Sequence, residues 1–333
     1  MMIEFDKLQK VIEDNNSFLL TTHVNPDADA IGSVMAFYYI LKKLGKSAYI
    51  INHSHTPDYL GFMDKQGIVE KFNPGKHASL ISEVDIIVLL DISQTYRTVG
   101  MADYIRNSGK TIIAIDHHQD AEQTLDYLFV GTDYCATGEI IYDFIQSTKI
   151  VEMDYEIAFQ LYTAIMTDTG SFRFERTTPT THRIAAHLLE FGIDPKTVYE
   201  EHYEKGSIEK IRLLGRALDS IKLNETKEVS YMVIRQKDLI ETGCREEDVE
   251  GYVNYTLQIE GVKAGILFLE LRNGFKVSFR TRGMIPANKI ASEFGGGGHI
   301  NAAGTRLYDK KMEEFFEVMI SRSQKYIDEY LGK

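Results

Sequence analysis

The chain has 333 residues, 37 basic and 49 acidic, for a formal charge of −12. At about 100–200 residues per domain the length points to two domains, and a 44% apolar share is enough for packed cores. Two cysteines, Cys135 and Cys244, are too few for a disulfide scaffold or a cysteine-rich zinc module and fit a cytoplasmic setting. The acidic balance argues against a nonspecific duplex DNA binder, which needs a broad basic face. No apolar run reaches the ~18 residues of a membrane span, and the first residues lack the pattern of a secretion signal.

Strand and helix signals alternate through the first half. Residues 17–22 read as a buried strand, 29–44 as a helix stopped by Gly45, and 46–51 as a second strand. Residues 85–90 (DIIVLL) and 111–115 (TIIAI) are apolar throughout, as strands covered on both faces are. Helices are expected at 137–147, 155–166 and 180–190, and a mostly helical, polar connector at 194–223. After it, 228–235, 262–271 and 275–280 read as strands, with Asn273-Gly274 as a hairpin turn between the last two. A glycine-rich stretch at 295–298 and a closing helix over 310–331 complete the chain. The expected architecture is α/β: a doubly wound parallel-sheet domain over 1–195, a helical connector over 196–222, and a smaller α/β domain with a mixed sheet over 223–333.

Ionisable residues gather where the strands end. His23, Asp27 and Asp29 follow the first strand, and an acid-capped helix start accounts for that cluster about as well as a metal site does. Asp91 follows DIIVLL, Asp116-His117-His118 closes TIIAI, and Asp168 stands in Met166-Thr-Asp-Thr-Gly170. A polar turn explains one such aspartate, but Asp-His-His less well. Five clustered aspartates repel one another unless cations neutralise them, and two divalent ions sharing a carboxylate do so.

These four motifs resemble those of the DHH phosphoesterase superfamily, and Gly295-Gly-Gly-Gly-His299-Ile-Asn301-Ala-Ala-Gly304 resembles the signature of its associated C-terminal domain, first type. Residues 161–174 are very like the subfamily of nanoRNases that also dephosphorylate 3′-phosphoadenosine 5′-phosphate (pAp). The resemblance implies a two-metal phosphoesterase that cuts short oligoribonucleotides to mononucleotides and pAp to AMP, with a metal-bridging hydroxide attacking phosphorus. It places His23, Asp27 and Asp91 on one ion and Asp29, Asp91, His117 and Asp168 on the other. The ions would be manganese, with cobalt or magnesium also compatible. His118 would meet the scissile phosphate, and Asp116 would orient a ligand histidine. Cyclic di-AMP or pApA phosphodiesterase and exopolyphosphatase remain alternatives, as does a regulator that binds nucleotides without hydrolysis.

Between Arg272 and Arg306 six basic residues face one acid, a local +5. This reads either as a solvated hairpin face or as a phosphate grip. The resemblance favours the grip and assigns substrate binding to His299, Gly297, Gly298, Arg280 and Arg282. Ile300 stands where many relatives carry a basic residue. Arg97, six residues after Asp91, matches a subfamily arginine near the leaving phosphate, or is an ordinary surface arginine. His53, His55 and His77 are expected at the surface, and His182, His187 and His202 as structural. The expected partners are short single-stranded RNA or a small nucleotide, with no duplex DNA and no membrane, and a homodimer is the default oligomer.

Overall fold

The computed structural model describes residues 3–119, 121–298 and 300–332. It divides into two compact units after Lys205.

The first unit carries strands β1 (Ser17–Thr21), β2 (Ser47–Asn52), β3 (Val69–Lys71), β4 (Ile86–Leu90), β5 (Thr111–Asp116) and β6 (Tyr127–Val130). All pair parallel in the order β3-β2-β1-β4-β5-β6. Its helices are α1 (Phe5–Asp14), α2 (Ala28–Lys43), α3 (Pro74–Glu83), α4 (Ala102–Arg106), α5 (Thr137–Thr148), α6 (Tyr155–Asp168), α7 (Pro179–Leu189) and α8 (Pro195–Tyr203). The apolar strands divide by alternation between two layers. Phe18, Leu20, Ile86, Val88, Leu90, Ile113 and Ile115 join one core with α2, α5 and α6. Leu19, Ile87, Leu89 and Ala114 join another with Ile81 of α3 and Ile105 of α4. Strand order reverses between β1 and β4, and a parallel sheet binds ligands beyond the carboxyl ends at such a point.

Three helices meet closely behind that point. A Cβ on Gly32 of α2 would lie 2.7 Å from Gln160 O and 3.0 Å from Ala164 Cβ of α6. One on Gly138 of α5 would lie 2.8 Å from the same Ala164 Cβ. These small residues let the first turns of α2 and α5 approach α6, which ends at Asp168.

The second unit holds α9 (Ile208–Asp219), β7 (Lys222–Leu223), β8 (Val229–Ile234), α10 (Gln236–Thr242), β9 (Ala264–Leu271), β10 (Gly274–Thr281), α11 (Ala287–Ser292), β11 (Gly297–Gly298), β12 (Ala302–Leu307) and α12 (Phe316–Leu331). Its sheet runs β11-β12-β10-β9-β8-β7, with only β8 and β9 parallel. Phe275, Val277 and Phe279 of β10 face α11 and α12, and Leu267 and Leu269 of β9 face α9 and α10.

Three sequence expectations shift. Helices α8 and α9 serve different cores, Val198 the first unit's and Leu213 and Ala217 the second's. The hairpin turn sits one residue early: Leu271 pairs with Gly274, so Arg272-Asn273 form the loop and Gly274 takes φ +105°. His77 is buried, its Nδ1 accepting the Asn73 N–H at 3.0 Å and its Nε2 lying 3.2 Å from Glu70.

Gly32→Val should cost about 1–3 kcal/mol by forcing α2 off α6. Urea unfolding checks this, and an unchanged midpoint would refute the close approach.

Candidate metal centre

Each ionisable cluster sits at a strand or helix end. His23 stands just past β1, and Asp27 caps α2 by accepting the Ala30 N–H at 3.0 Å. Asp91 leaves β4 with its N–H still bonded to Ile115 O at 3.0 Å, then turns at φ +59°. A non-glycine residue in the left-handed region stores strain, and such strain is common at functional sites. Asp116 ends β5, and His117 and His118 follow. Asp168 is the last residue of α6 rather than part of the turn after it.

The side chains converge. His23 Nε2 lies 3.3 Å from Asp91 Oδ2 and 3.9 Å from Asp27 Oδ2. His117 Nε2 lies 3.5 Å from Asp91 Oδ1, 3.5 Å from Asp168 Oδ2 and 3.8 Å from Asp29 Oδ2. Three groups place their donor atoms within 4.8 Å of one another: His23-Asp27-Asp91, Asp29-His117-Asp168 and Asp91-His117-His118. Asp91 belongs to two of them.

Supporting contacts fix the donors. His23 Nδ1 is 3.0 Å from Val24 O, so Nδ1–H is donated there and Nε2 faces the carboxylates. His117 Nδ1 lies 3.3 Å from Tyr134 O and 3.3 Å from Arg176 Nη1. Donation of Nδ1–H to Tyr134 O leaves Nε2 bare toward Asp91 and Asp168, and Arg176, which can only donate, then bonds the same Tyr134 O, at 3.5 Å, rather than the ring. Both oxygens of Asp29 accept backbone N–H groups at the start of α5, from Thr137 at 2.7 Å and Gly138 at 3.0 Å. The Thr137 hydroxyl donates to Asp91 Oδ1 at 2.9 Å. Asp116 Oδ1 accepts the His118 backbone N–H at 3.1 Å and Nδ1 at 2.6 Å. The histidine oriented by Asp116 is therefore His118, not one of the expected ligands.

Electrostatics separates these groups. Burial, and then the charges of Asp29 and Asp27, raise Asp91 and Asp168 well above the ordinary carboxylate range. Burial also raises Asp29 against the pull of His117. Burial pushes His23 down against the pull of Asp27, which favours a neutral imidazole. Asp116 behaves oppositely: burial would raise it, but the hydrogen bond and charge of His118 hold it well below its usual value. A mixed set of oxygen and neutral imidazole donors, too crowded to stay ionised alone, fits divalent cations.

The family-model comparison agrees with this geometry. The "DHH family, N-terminal domain" model matches residues 17–167, and the "DHHA1 domain" model matches 226–325. The bifunctional oligoribonuclease and PAP phosphatase NrnA of Thermus thermophilus is 33% identical over 303 residues, covering 90% of this chain and 86% of that protein. The chain belongs to the DHH family. As a DHH member it is a hydrolytic phosphoesterase. The NrnA of Bacillus subtilis is 26% identical over 305 residues, 91% of this chain and 93% of that one. The crystal structure of an exopolyphosphatase-related protein from Bacteroides fragilis is similar with a TM-score of 0.90 at 29% identity, covering 97% and 96% of the two chains.

Other expected residues have more ordinary surroundings. Arg97 is half-buried, its carbonyl accepting the Val24 N–H at 3.0 Å while its charge acts on His23. His53 Nδ1 accepts the Gly100 N–H at 3.2 Å. Burial raises the Cys135 thiol, which suits a structural residue. In the second unit Arg280 Nη2 lies 3.8 Å from Glu250, and Arg282 donates to Leu257 O. Gly298 takes φ +144°, and a Cβ there would lie 2.5 Å from Ala302 O, so β11 needs glycine to pair with β12. Gly297 borders open space. His299 lies outside the described residues.

Thr137, Gly138 and Arg176 belong to no motif read from the sequence. Partners of metal-binding residues typically alter ion affinity 10–100-fold when removed. Thr137→Val should weaken Mn2+ binding by about tenfold, and Thr137→Ser should restore it. Titration calorimetry checks this, and wild-type affinity in the valine variant would contradict the role.

Proposed function

We propose that the chain hydrolyses short oligoribonucleotides to mononucleotides and pAp to AMP, using two divalent ions, manganese by preference. The supporting observation is Asp91, whose carboxylate belongs both to the group with His23 and Asp27 and to a group with His117. In this reading His23, Asp27 and Asp91 hold one ion, and Asp29, Asp91, His117 and Asp168 hold the other. When bound, such ions supply a nucleophile at neutral pH and neutralise charge developing on the phosphate.

The protein's own groups do the rest. Asp91 fixes the spacing of the two positions, and α5 holds Asp29 still. His118 gives its Nδ1–H to Asp116 and presents Nε2 to the substrate. Its Nε2 meets a phosphate oxygen, with the Asp116 carboxylate orienting the ring. Arg97 lies on the His23 side and meets the leaving phosphate. In the second unit Gly297, Gly298, His299, Arg280 and Arg282 bind the substrate's nucleotide or terminal phosphate.

The relatives' names support the substrate class: the Thermus and Bacillus proteins are both named oligoribonuclease and PAP phosphatase. A manganese panel of pAp, di- to pentaribonucleotides, pApA, cyclic di-AMP, pyrophosphate and polyphosphate tests it. AMP from pAp and mononucleotides from short RNA are expected. Turnover of polyphosphate alone would overturn the reading.

A further inference from the structure

The segment from Asp168 to Arg176 starts and finishes on the metal cluster. Asp168 Oδ2 lies 3.5 Å from His117 Nε2, and Arg176 Nη1 lies 3.3 Å from the ring's other nitrogen. Between them Gly170, Ser171 and Phe172 take φ values of +57°, +59° and +63°. Two of these are non-glycine residues in the left-handed region, which side chains rarely occupy. The conformation is held by Thr169, whose carbonyl accepts the N–H groups of Arg173 and Phe174 at 3.0 Å and whose hydroxyl accepts that of Phe172 at 3.1 Å.

The two phenylalanines of this loop take opposite roles. Phe172 packs inward, 6.2 Å from the Tyr162 ring and 5.4 Å from His182. Phe174 joins no hydrophobic cluster among the described residues and is 48% exposed. Its ring rests on Gly170, where a Cβ would fall 2.4 Å from the ring. Arg173 anchors to Gly170 O through Nε at 2.8 Å, with its guanidinium 5.6 Å from the Phe174 centroid. An aromatic ring is thus kept out of the core and seated on glycine, with a cation beside it, six residues after Asp168 and two before Arg176, both of which touch His117.

We propose that Phe174 is a stacking platform for a base of the nucleotide substrate, with Arg173 placed for its anionic backbone. This rests on the proposed function and adds a base-binding subsite to it. Every base offers a π-face, so the platform holds purines and pyrimidines alike.

The test compares kcat/KM for pAp with that for its base-free counterpart, ribose 3,5-bisphosphate. Phe174→Ala should shrink the wild-type preference for pAp by roughly tenfold, and Phe174→Tyr, which keeps the π-face, should preserve it. A preference unchanged in Phe174→Ala would overturn the platform, whether both substrates slow equally or neither does. If the wild type hydrolyses neither compound, the proposed function fails separately. AMP binding by calorimetry then decides: weaker binding to Phe174→Ala upholds the platform, and equal binding sinks it.

Discussion

Carboxylates cannot crowd a buried volume as anions unless something positive lies among them. Asp29 and Asp91 are almost wholly buried, and Asp168 is close by. Burial and mutual repulsion drive all three above their usual range. The scaffold counters only part of this. The first N–H groups of α5 point at Asp29, and Thr137 donates to Asp91. These partners are dipoles, worth less than full charges, and they fix positions more than they neutralise. In the proposed reading divalent cations complete the site, and the surrounding fold holds the candidate ligands in place.

Much of that fold supports one junction. Gly32, Gly138 and Ala164 let three helices meet where α2 and α5 begin, and this sets Asp29 beside Thr137 and Gly138. Strand order reverses between β1 and β4, which puts His23 and Asp91 side by side. One helix junction and one switch in strand order therefore bring together residues more than a hundred positions apart.

Strands β1, β2, β4 and β5, the strands β8, β9 and β10, and the ionisable clusters were legible because each signal is local, whereas the short or edge strands β3, β6, β7, β11 and β12 were not read from the sequence. DIIVLL and TIIAI declare buried strands, and polar residues directly after them mark strand ends. What was not legible depends on distant partners. Thr137 and Gly138 meet Asp29 across more than a hundred residues, and no spacing rule anticipates an N–H from another helix. The basic stretch from Arg272 to Arg306 shows the same limit. Arg306 and Lys276 pair with Glu246, and Arg280 faces Glu250, both acids from outside that window. A charge count along the chain cannot see pairing across it. The hairpin turn and the inner place of His77 were likewise set by register and packing.

The central claim is that Asp91 serves two ions at once. Mass-spectrometric metal analysis of the wild type and Asp91→Ala, after equilibration with manganese and desalting, tests it most directly. The account predicts two ions per wild-type chain and none per variant chain, with the variant still cooperatively folded. A variant that keeps one ion at wild-type affinity would contradict it.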